Sequence, residues 1–201
     1  MDATTFISGL LFSLSLIVAI GPQNAFVLQQ GARREYVTIV VLICTASDAL
    51  LIAAGVAGIG SVVGTSRGLL MVTRFGGATL LLAYGCFAAR RALVCPPGQL
   101  AASRLGSSRG RVFAATLGFT WLNPGVYLDT VVLLGSVANA HPSARWSFGA
   151  GAATASACWF IGLGWAARLL TPLLRRPNAS RLLDGFVAVV MAITALRTLP
   201  V

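Results

Sequence analysis

Long apolar runs are the feature that most constrains the fold of this chain. A helix needs about 20 mostly apolar residues to cross the hydrocarbon core of a membrane. Six windows meet that requirement: 6–28, 37–63, 69–89, 112–137, 147–170 and 182–199. Charged residues make up 10% of the chain, against about 25% in soluble domains, and the mean hydropathy is +0.84. The sequence therefore predicts an all-α, multi-pass membrane protein with six transmembrane helices.

Two of these windows contain helix-breaking residues beside amide side chains: Gly21, Pro22, Gln23 and Asn24 in the first, and Asn123, Pro124 and Gly125 in the fourth. Pro22 has no backbone N–H, so the carbonyl of Val18 would lose its helical partner. Irregular backbone at membrane depth is tolerated where protein or a water-filled cavity covers it. We expect the first and fourth helices to be broken at proline, an arrangement typical of transporter binding sites.

The segment 95–111 divides the chain into two sets of three windows, 1–94 and 112–201. Its prolines, glycines and serines are typical of a flexible linker. Because each set contains an odd number of spans, the second set begins at the opposite membrane face. The two halves are therefore predicted to be inverted three-helix repeats.

The arginines predict the orientation of this arrangement. Eleven of the fifteen basic residues, all of them arginine, fall in or beside the loops 29–36, 90–111 and 168–181. The remaining four, which the alternation of spans assigns to the other face, are Arg67, Arg74, Arg145 and Arg197. Positively charged loops are retained in the cytoplasm, so these three loops are predicted to be cytoplasmic, the linker included, and both termini outside.

Two of the five acidic residues, Asp48 and Asp129, lie well inside apolar windows. A carboxyl group near the bilayer centre costs a few kcal/mol, so it suggests a functional site. The alternative is a protonated acid that is hydrogen-bonded to a neighbouring helix or paired with an arginine such as Arg74. The other acids lie near window ends, where solvated or surface-paired roles are expected: Asp2, Glu35 and Asp184.

The amides Gln23, Asn24 and Asn123 stand at the two predicted breaks. They would either bind a polar ligand or satisfy carbonyls that proline leaves free. A half-helix beginning after the break would direct N–H groups and a positive dipole end at a carboxylate. Tyr127 is placed to complete such a site beside Asp129, or simply to pack.

Several other functions lack their sequence signals. The single histidine lies in a predicted loop and no nucleotide fingerprint is present, so neither an enzyme, a cofactor nor ATP-driven transport is indicated. The cysteines are isolated, without metal or redox spacing: Cys44, Cys86, Cys95 and Cys158. The net charge of +10 comes from arginines that flank apolar runs, which does not indicate nucleic-acid binding. A secondary transporter driven by a gradient of protons or other ions follows by elimination.

Three motifs carry a family resemblance, at residues 21–28 (GPQNAFVL), 47–51 (SDALL) and 123–130 (NPGVYLDT). In this order they resemble the lysine/arginine exporter family of bacterial inner-membrane proteins, across essentially the whole chain. Gln23 matches the basic amino-acid branch rather than the homoserine/threonine exporters, which usually have glycine there. Gly125 departs from the family, in which histidine is common at that position. The resemblance implies export of L-arginine or L-lysine, coupled to the proton motive force, from three-plus-three inverted repeats.

These features predict a substrate site formed by Gln23, Asn24, Asp48, Asn123, Tyr127 and Asp129. Asp48 and Asp129 would face the cationic groups of a basic amino acid. Two carboxylates in a poorly hydrated site repel each other, so the empty site would hold a proton that the ligand displaces.

The alternative function is export of another small solute, a neutral amino acid or a metal cation. A redox conductor would need a cysteine pair in facing helices, and a purely structural subunit would leave the buried acids unexplained. A homo-oligomer is compatible with all of these.

Overall fold

The computed structural model describes residues 2–19, 21–60, 66–94, 108–171 and 177–198. Within these ranges the regular structure is helical and contains no strand, which confirms the all-α prediction. The helices in order are α1 (Ala3–Ile17), α2 (Pro22–Arg33), α3 (Val37–Val56), α4 (Arg67–Val94), α5 (Arg109–Trp121), α6 (Pro124–Val126), a π-helical stretch (Tyr127–Leu133), α7 (Leu134–Asn139), α8 (Arg145–Ala166), a 3₁₀ turn (Ala167–Leu170) and α9 (Pro177–Thr198).

Three helices of the described ranges are long and apolar enough to cross a membrane: Val37–Val56, Met71–Leu93 and Arg145–Leu169. They correspond to the predicted second, third and fifth spans. The pair α1 and α2, which covers the first predicted window, would add one more membrane-spanning segment if the two helices are counted as one bent span. The fourth predicted window is divided between α5 and the helical stretch 124–139, and the sixth falls in α9. The six-span inverted repeat remains a prediction, and residues 95–107 of the linker lie outside the described residues.

The first interruption separates two helices instead of kinking one. α1 ends at Ile17, and Pro22 occupies the first position of α2, where the missing N–H of proline costs nothing because that group has no intrahelical partner. The two helix axes meet at 83°. The predicted break is therefore a gap between two helices: α1 ends at Ile17, just before Val18, and α2 continues to Arg33.

The second interruption is built around an amide cap. α5 ends at Trp121, and Asn123 precedes Pro124, the first residue of α6. The Asn123 Oδ1 atom accepts a hydrogen bond from the Gly125 N–H at 3.0 Å, the usual way in which a side chain satisfies an orphan donor at a helix start. The seven residues after α6, Tyr127–Leu133, include Asp129 and form the π-helical stretch. Such stretches occur frequently at functional sites.

Close helix packing holds the two halves together. α1 lies along α8, α4 lies along α9, and α3 contacts α5, the π-helical stretch and α8. A Cβ atom built at Gly151 of α8 would lie 2.0 Å from the carbonyl oxygen of Phe6 on α1. Only glycine fits there, since the two backbones are in direct contact. This small residue of the fifth window therefore lies at a helix interface.

Asp184 was expected to be solvated or paired at the surface; it is paired, but its side chain is fully buried. Its carboxylate accepts hydrogen bonds from Arg33 at 2.7 Å and from the Gln29 amide, also at 2.7 Å. Arg91 lies 3.5 Å away, and the Tyr84 hydroxyl donates to Gln29. These residues join α2, α4 and α9, so the acid links three helices. Burial is possible because two arginines and an amide replace the lost water.

Candidate functional site

A cavity of about 320 Å³ lies between the two helix interruptions. Residues of α1, α2, α3, α8 and α9 line it, together with the stretch 123–134. Among the predicted site and helix-break residues, those in the lining are Gly21, Pro22, Gln23, Asn24, Asp48, Asn123, Gly125 and Asp129. The fold thus brings together residues that are separated by about a hundred positions in sequence, and the two acids share one cavity.

Asp48 is the most buried acid in this cavity, with 4% of the residue exposed. Its Oδ2 atom accepts a hydrogen bond from the Ser156 hydroxyl of α8 at 2.8 Å. Its Oδ1 atom has no hydrogen-bond partner, and no ion pair with Arg74 is formed. The Nε2 atom of Gln23, which lies nearby, is also buried without a partner. The Gln23 amide and the Asp48 carboxyl group are thus neighbours in the cavity wall, and no hydrogen bond of ordinary geometry joins them.

Asp129 reaches the same cavity from the π-helical stretch. It is half-buried, and its carboxylate forms neither an ion pair nor a hydrogen bond within the described ranges. Its backbone carbonyl accepts the N–H of Leu134, which fixes the backbone but leaves the side chain uncommitted. The cavity thus contains two carboxylates, neither of which is paired with a cation in the described part of the chain.

Asn24 serves the first interruption. Its Nδ2 atom donates to the carbonyl oxygens of Ile17 at 2.7 Å and Ala19 at 2.9 Å. Its Oδ1 atom accepts a hydrogen bond from the Trp159 indole N–H at 3.2 Å. Asn123 caps α6 at the second interruption by accepting a hydrogen bond from the Gly125 N–H. Both amides therefore satisfy backbone groups at a break, which was the alternative raised from sequence, whereas the Gln23 amide lies beside Asp48 and bonds no backbone group of the described ranges.

Tyr127 and Pro124 do not line the cavity. The hydroxyl of Tyr127 donates to the carbonyl oxygen of Trp121 at 2.8 Å. It therefore satisfies one of the last carbonyls of α5 across the second interruption. The structure gives Tyr127 a place beside the site instead of in it.

Sequence reasoning missed two residues of this region, Ser156 and Arg197. Ser156 was one of many small residues in the fifth window, and nothing in its spacing pointed to Asp48. Arg197 lines the cavity from the last turn of α9, although its charge was assigned to the outer flank of the sixth window. The sequence signal that could have identified Arg197 is its position inside the apolar window 182–199 instead of in a loop.

Metal-binding residues are not clustered in the described ranges, where no group of three or more His, Cys, Asp or Glu side chains is placed to hold an ion. Cys44 is buried, whereas Cys86 and Cys158 are exposed on different helices, and all three are free thiols. Cys95 lies outside the described residues. His141 is exposed in the turn before α8.

Comparison with known proteins identifies relatives along almost the whole chain. A protein of Mycobacterium tuberculosis (strain ATCC 25618 / H37Rv), whose name describes it as a candidate amino-acid transporter, is 48% identical over 191 residues, which is 93% of this chain and 94% of the relative. The arginine exporter protein ArgO of Pectobacterium atrosepticum is 40% identical over 188 residues, 92% of each chain. ArgO of Photorhabdus laumondii is 39% identical over 189 residues, 94% of this chain and 91% of the relative.

No solved structure matches the chain. The sequence profile of the family described as "LysE type translocator" matches residues 14–199, a range that includes both interruptions and every residue of the cavity described above except Ser13. This protein belongs to the LysE type translocator family.

Proposed function

We propose that this protein exports basic amino acids, L-arginine and L-lysine, across the bacterial cytoplasmic membrane by proton antiport. Family membership supports export of an amino acid, and the arginine exporters among the relatives support a basic one. The observation that carries the proposal is that Asp48 and Asp129 line one cavity without a paired cation. A buried negative charge needs a proton or a cationic ligand to compensate it.

The proposed binding mode follows from the charges of the ligand. A basic amino acid has an α-ammonium group and a cationic side chain, and each needs a partner once water is removed. Asp48 and Asp129 provide these partners, and the free Gln23 amide donates to the ligand beside them. Asn24, Asn123 and Tyr127 keep the two interruptions in shape. A neutral ligand would leave one of the carboxylates unpaired.

The same two acids provide the coupling. When the cavity is empty, repulsion between the carboxylates is relieved if one of them binds a proton. A cationic amino acid arriving from the cytoplasm displaces that proton, and a proton arriving from outside displaces the amino acid. Export then proceeds against its own gradient as protons enter, because the site holds either the proton or the ligand.

The membrane arrangement we propose is the six-span inverted repeat with both termini outside. The arginine distribution supports the orientation. The interruptions at Pro22 and Pro124 stand at corresponding places in the two halves, as expected of repeats related by an axis in the membrane plane. Helices that are already interrupted beside the cavity are suited to rearrange during alternating access.

The test is efflux from proteoliposomes of the purified full-length protein, loaded in parallel with labelled arginine, lysine, threonine or a divalent metal ion. An inward proton gradient should drive out arginine and lysine only, and a protonophore should abolish the efflux. Empty liposomes prepared in the same way are the control. Release of threonine or of the metal ion with retention of arginine and lysine would refute the proposal, as would arginine efflux that is indifferent to the protonophore.

A further inference from the structure

We propose that Arg197 binds the carboxylate of the exported amino acid, opposite the two acids of the cavity. This inference rests on the proposed function and deepens it, because it assigns the third charge of the ligand to a side chain. Arg197 and Thr194 both line the cavity. They are three residues apart on α9, so they lie on the same face of that helix, which is the face turned toward the interruptions.

Several arginines of the described ranges have their charge committed to a neighbouring side chain, and Arg197 does not. Arg33 and Arg91 pair with Asp184, while Arg145 and Arg168 stack on neighbouring tryptophan rings. Arg197 forms no ion pair, hydrogen bond or ring contact with any residue of the described ranges. Its guanidinium group is permanently charged, so a cavity in a membrane protein that contains it also presents a strong site for an anionic group.

The charges of the lining form a set complementary to a basic amino acid. Asp48, Asp129 and Arg197 are the ionisable side chains of the lining, two negative and one positive. Arginine and lysine carry two positive groups and one negative. A diamine lacking a carboxylate would leave Arg197 unpaired, and a neutral amino acid would leave one acid unpaired. The planar fork of a guanidinium also suits a carboxylate, because it donates two parallel hydrogen bonds to it.

The competing holder of the carboxylate is the N-terminus of α2. Gly21 provides no side-chain cap there, so the first N–H groups of this helix are open to an anion. The two possibilities predict different effects of removing the Arg197 charge. If the helix N-terminus held the carboxylate, substitution of Arg197 would change the affinities for arginine and for a ligand without a carboxylate equally.

The experiment compares arginine with agmatine, which is arginine without its carboxylate. Equilibrium binding of both to the purified full-length protein in detergent is measured by calorimetry. Wild type should bind arginine at least about tenfold more tightly than agmatine. Arg197→Gln should weaken arginine binding by about tenfold or more and should leave agmatine binding unchanged or tighter, because agmatine carries two positive charges that Arg197 repels. Arg74→Gln, which removes an exposed arginine outside the cavity, is the matched control and should change neither affinity.

Arg197→Lys is the second variant and covers the case in which the glutamine variant does not fold. It keeps the charge but loses the fork of donors, so it should weaken arginine binding by about threefold or more and spare agmatine. Unchanged arginine affinity in either folded variant, or an equal loss of affinity for arginine and agmatine, would overturn the role of Arg197 but not the proposed function. A wild-type protein that binds neither ligand would overturn the proposed function as well.

Discussion

The carboxylate of Asp184 on α9 receives both of its shortest charged contacts from one atom of Arg33 on α2, since Nη2 lies 2.7 Å from Oδ1 and 2.9 Å from Oδ2. Asp184 is fully buried, whereas 28% of the Arg33 side chain is exposed. The contact ties the far end of α2, the helix that begins at the first interruption, to α9, the helix that carries Arg197. Removing it should therefore loosen the frame of the cavity without touching its lining.

Asp184→Asn is expected to destabilise the protein strongly. The substitution keeps the shape of the side chain but leaves Arg33 and Arg91 without their shared counter-charge, and breaking a buried pair in this way costs on the order of 3–5 kcal/mol. Unfolding by SDS titration in mixed micelles measures the difference. Asp2→Asn is the control, because Asp2 is an exposed helix cap and asparagine caps equally well. Equal midpoints for the two variants would contradict the prediction.

Gly151→Ala and Gly162→Ala form a matched pair within α8. The new methyl group at position 151 would lie 2.0 Å from the Phe6 carbonyl oxygen, whereas nothing lies within 4 Å of position 162. We expect Gly151→Ala to cost about 1–3 kcal/mol as α1 is displaced, and Gly162→Ala to be neutral or stabilising by up to about 1 kcal/mol. The same titration reports both values. A loss of similar size at both positions would show that helix packing is not the cause.

Asn24→Ala tests the first interruption. The carbonyl oxygen of Ile17 would lose the donor that satisfies it, while that of Ala19 would keep only the Gly21 N–H. An unsatisfied polar group that is removed from water costs about 1–3 kcal/mol. We expect lower stability and lower arginine efflux together, since the angle between α1 and α2 shapes the cavity. Ser15→Ala is the control, because the hydroxyl of Ser15 is exposed and bonds only within α1. If Asn24→Ala were as stable as the wild type, contacts other than the Asn24 hydrogen bonds would have to hold the angle between α1 and α2.

Asp48→Asn and Asp129→Asn should abolish most proton-coupled export. Each change keeps the shape of the side chain but leaves one cationic group of the ligand unpaired, at a cost of about 2–5 kcal/mol, so efflux should fall by more than about tenfold. The amount of protein in the membrane should be unchanged. Efflux rates at a series of external pH values provide the measurement, with Asp2→Asn as the control. Near wild-type rates and pH dependence in both variants would make the two acids structural.

The orientation is tested by thiol labelling. Single cysteines at positions 107 and 143, introduced into a variant without the native cysteines, should be labelled from opposite sides of the membrane. Position 143, in the turn before α8, should react with an impermeant reagent added to whole cells. Position 107, in the predicted cytoplasmic linker, should react only after permeabilisation. Labelling of both from the same side would refute the six-span arrangement.

The sequence by itself determined the membrane class, the positions of the two interruptions and the family. These depend on local properties: hydropathy over about 20 residues, the missing N–H of Pro22 and Pro124, and three short motifs in a fixed order along the chain. Asp48 and Asp129 were identifiable for a similar reason, since a carboxyl group within an apolar window is costly wherever the helix lies.

Only the tertiary structure decided which of these residues share a cavity and what each one contacts. The sequence left two roles open for Asn24, and the structure shows which bonds its amide makes, since the nearby Ile17 and Ala19 carbonyls take both of its donors. Asp184 was misplaced because burial of a charge depends on distant partners, here Arg33 and Arg91. Arg197 was missed because the side of a helix that faces a cavity is set by its neighbours, and hydropathy along one chain contains no information about their arrangement.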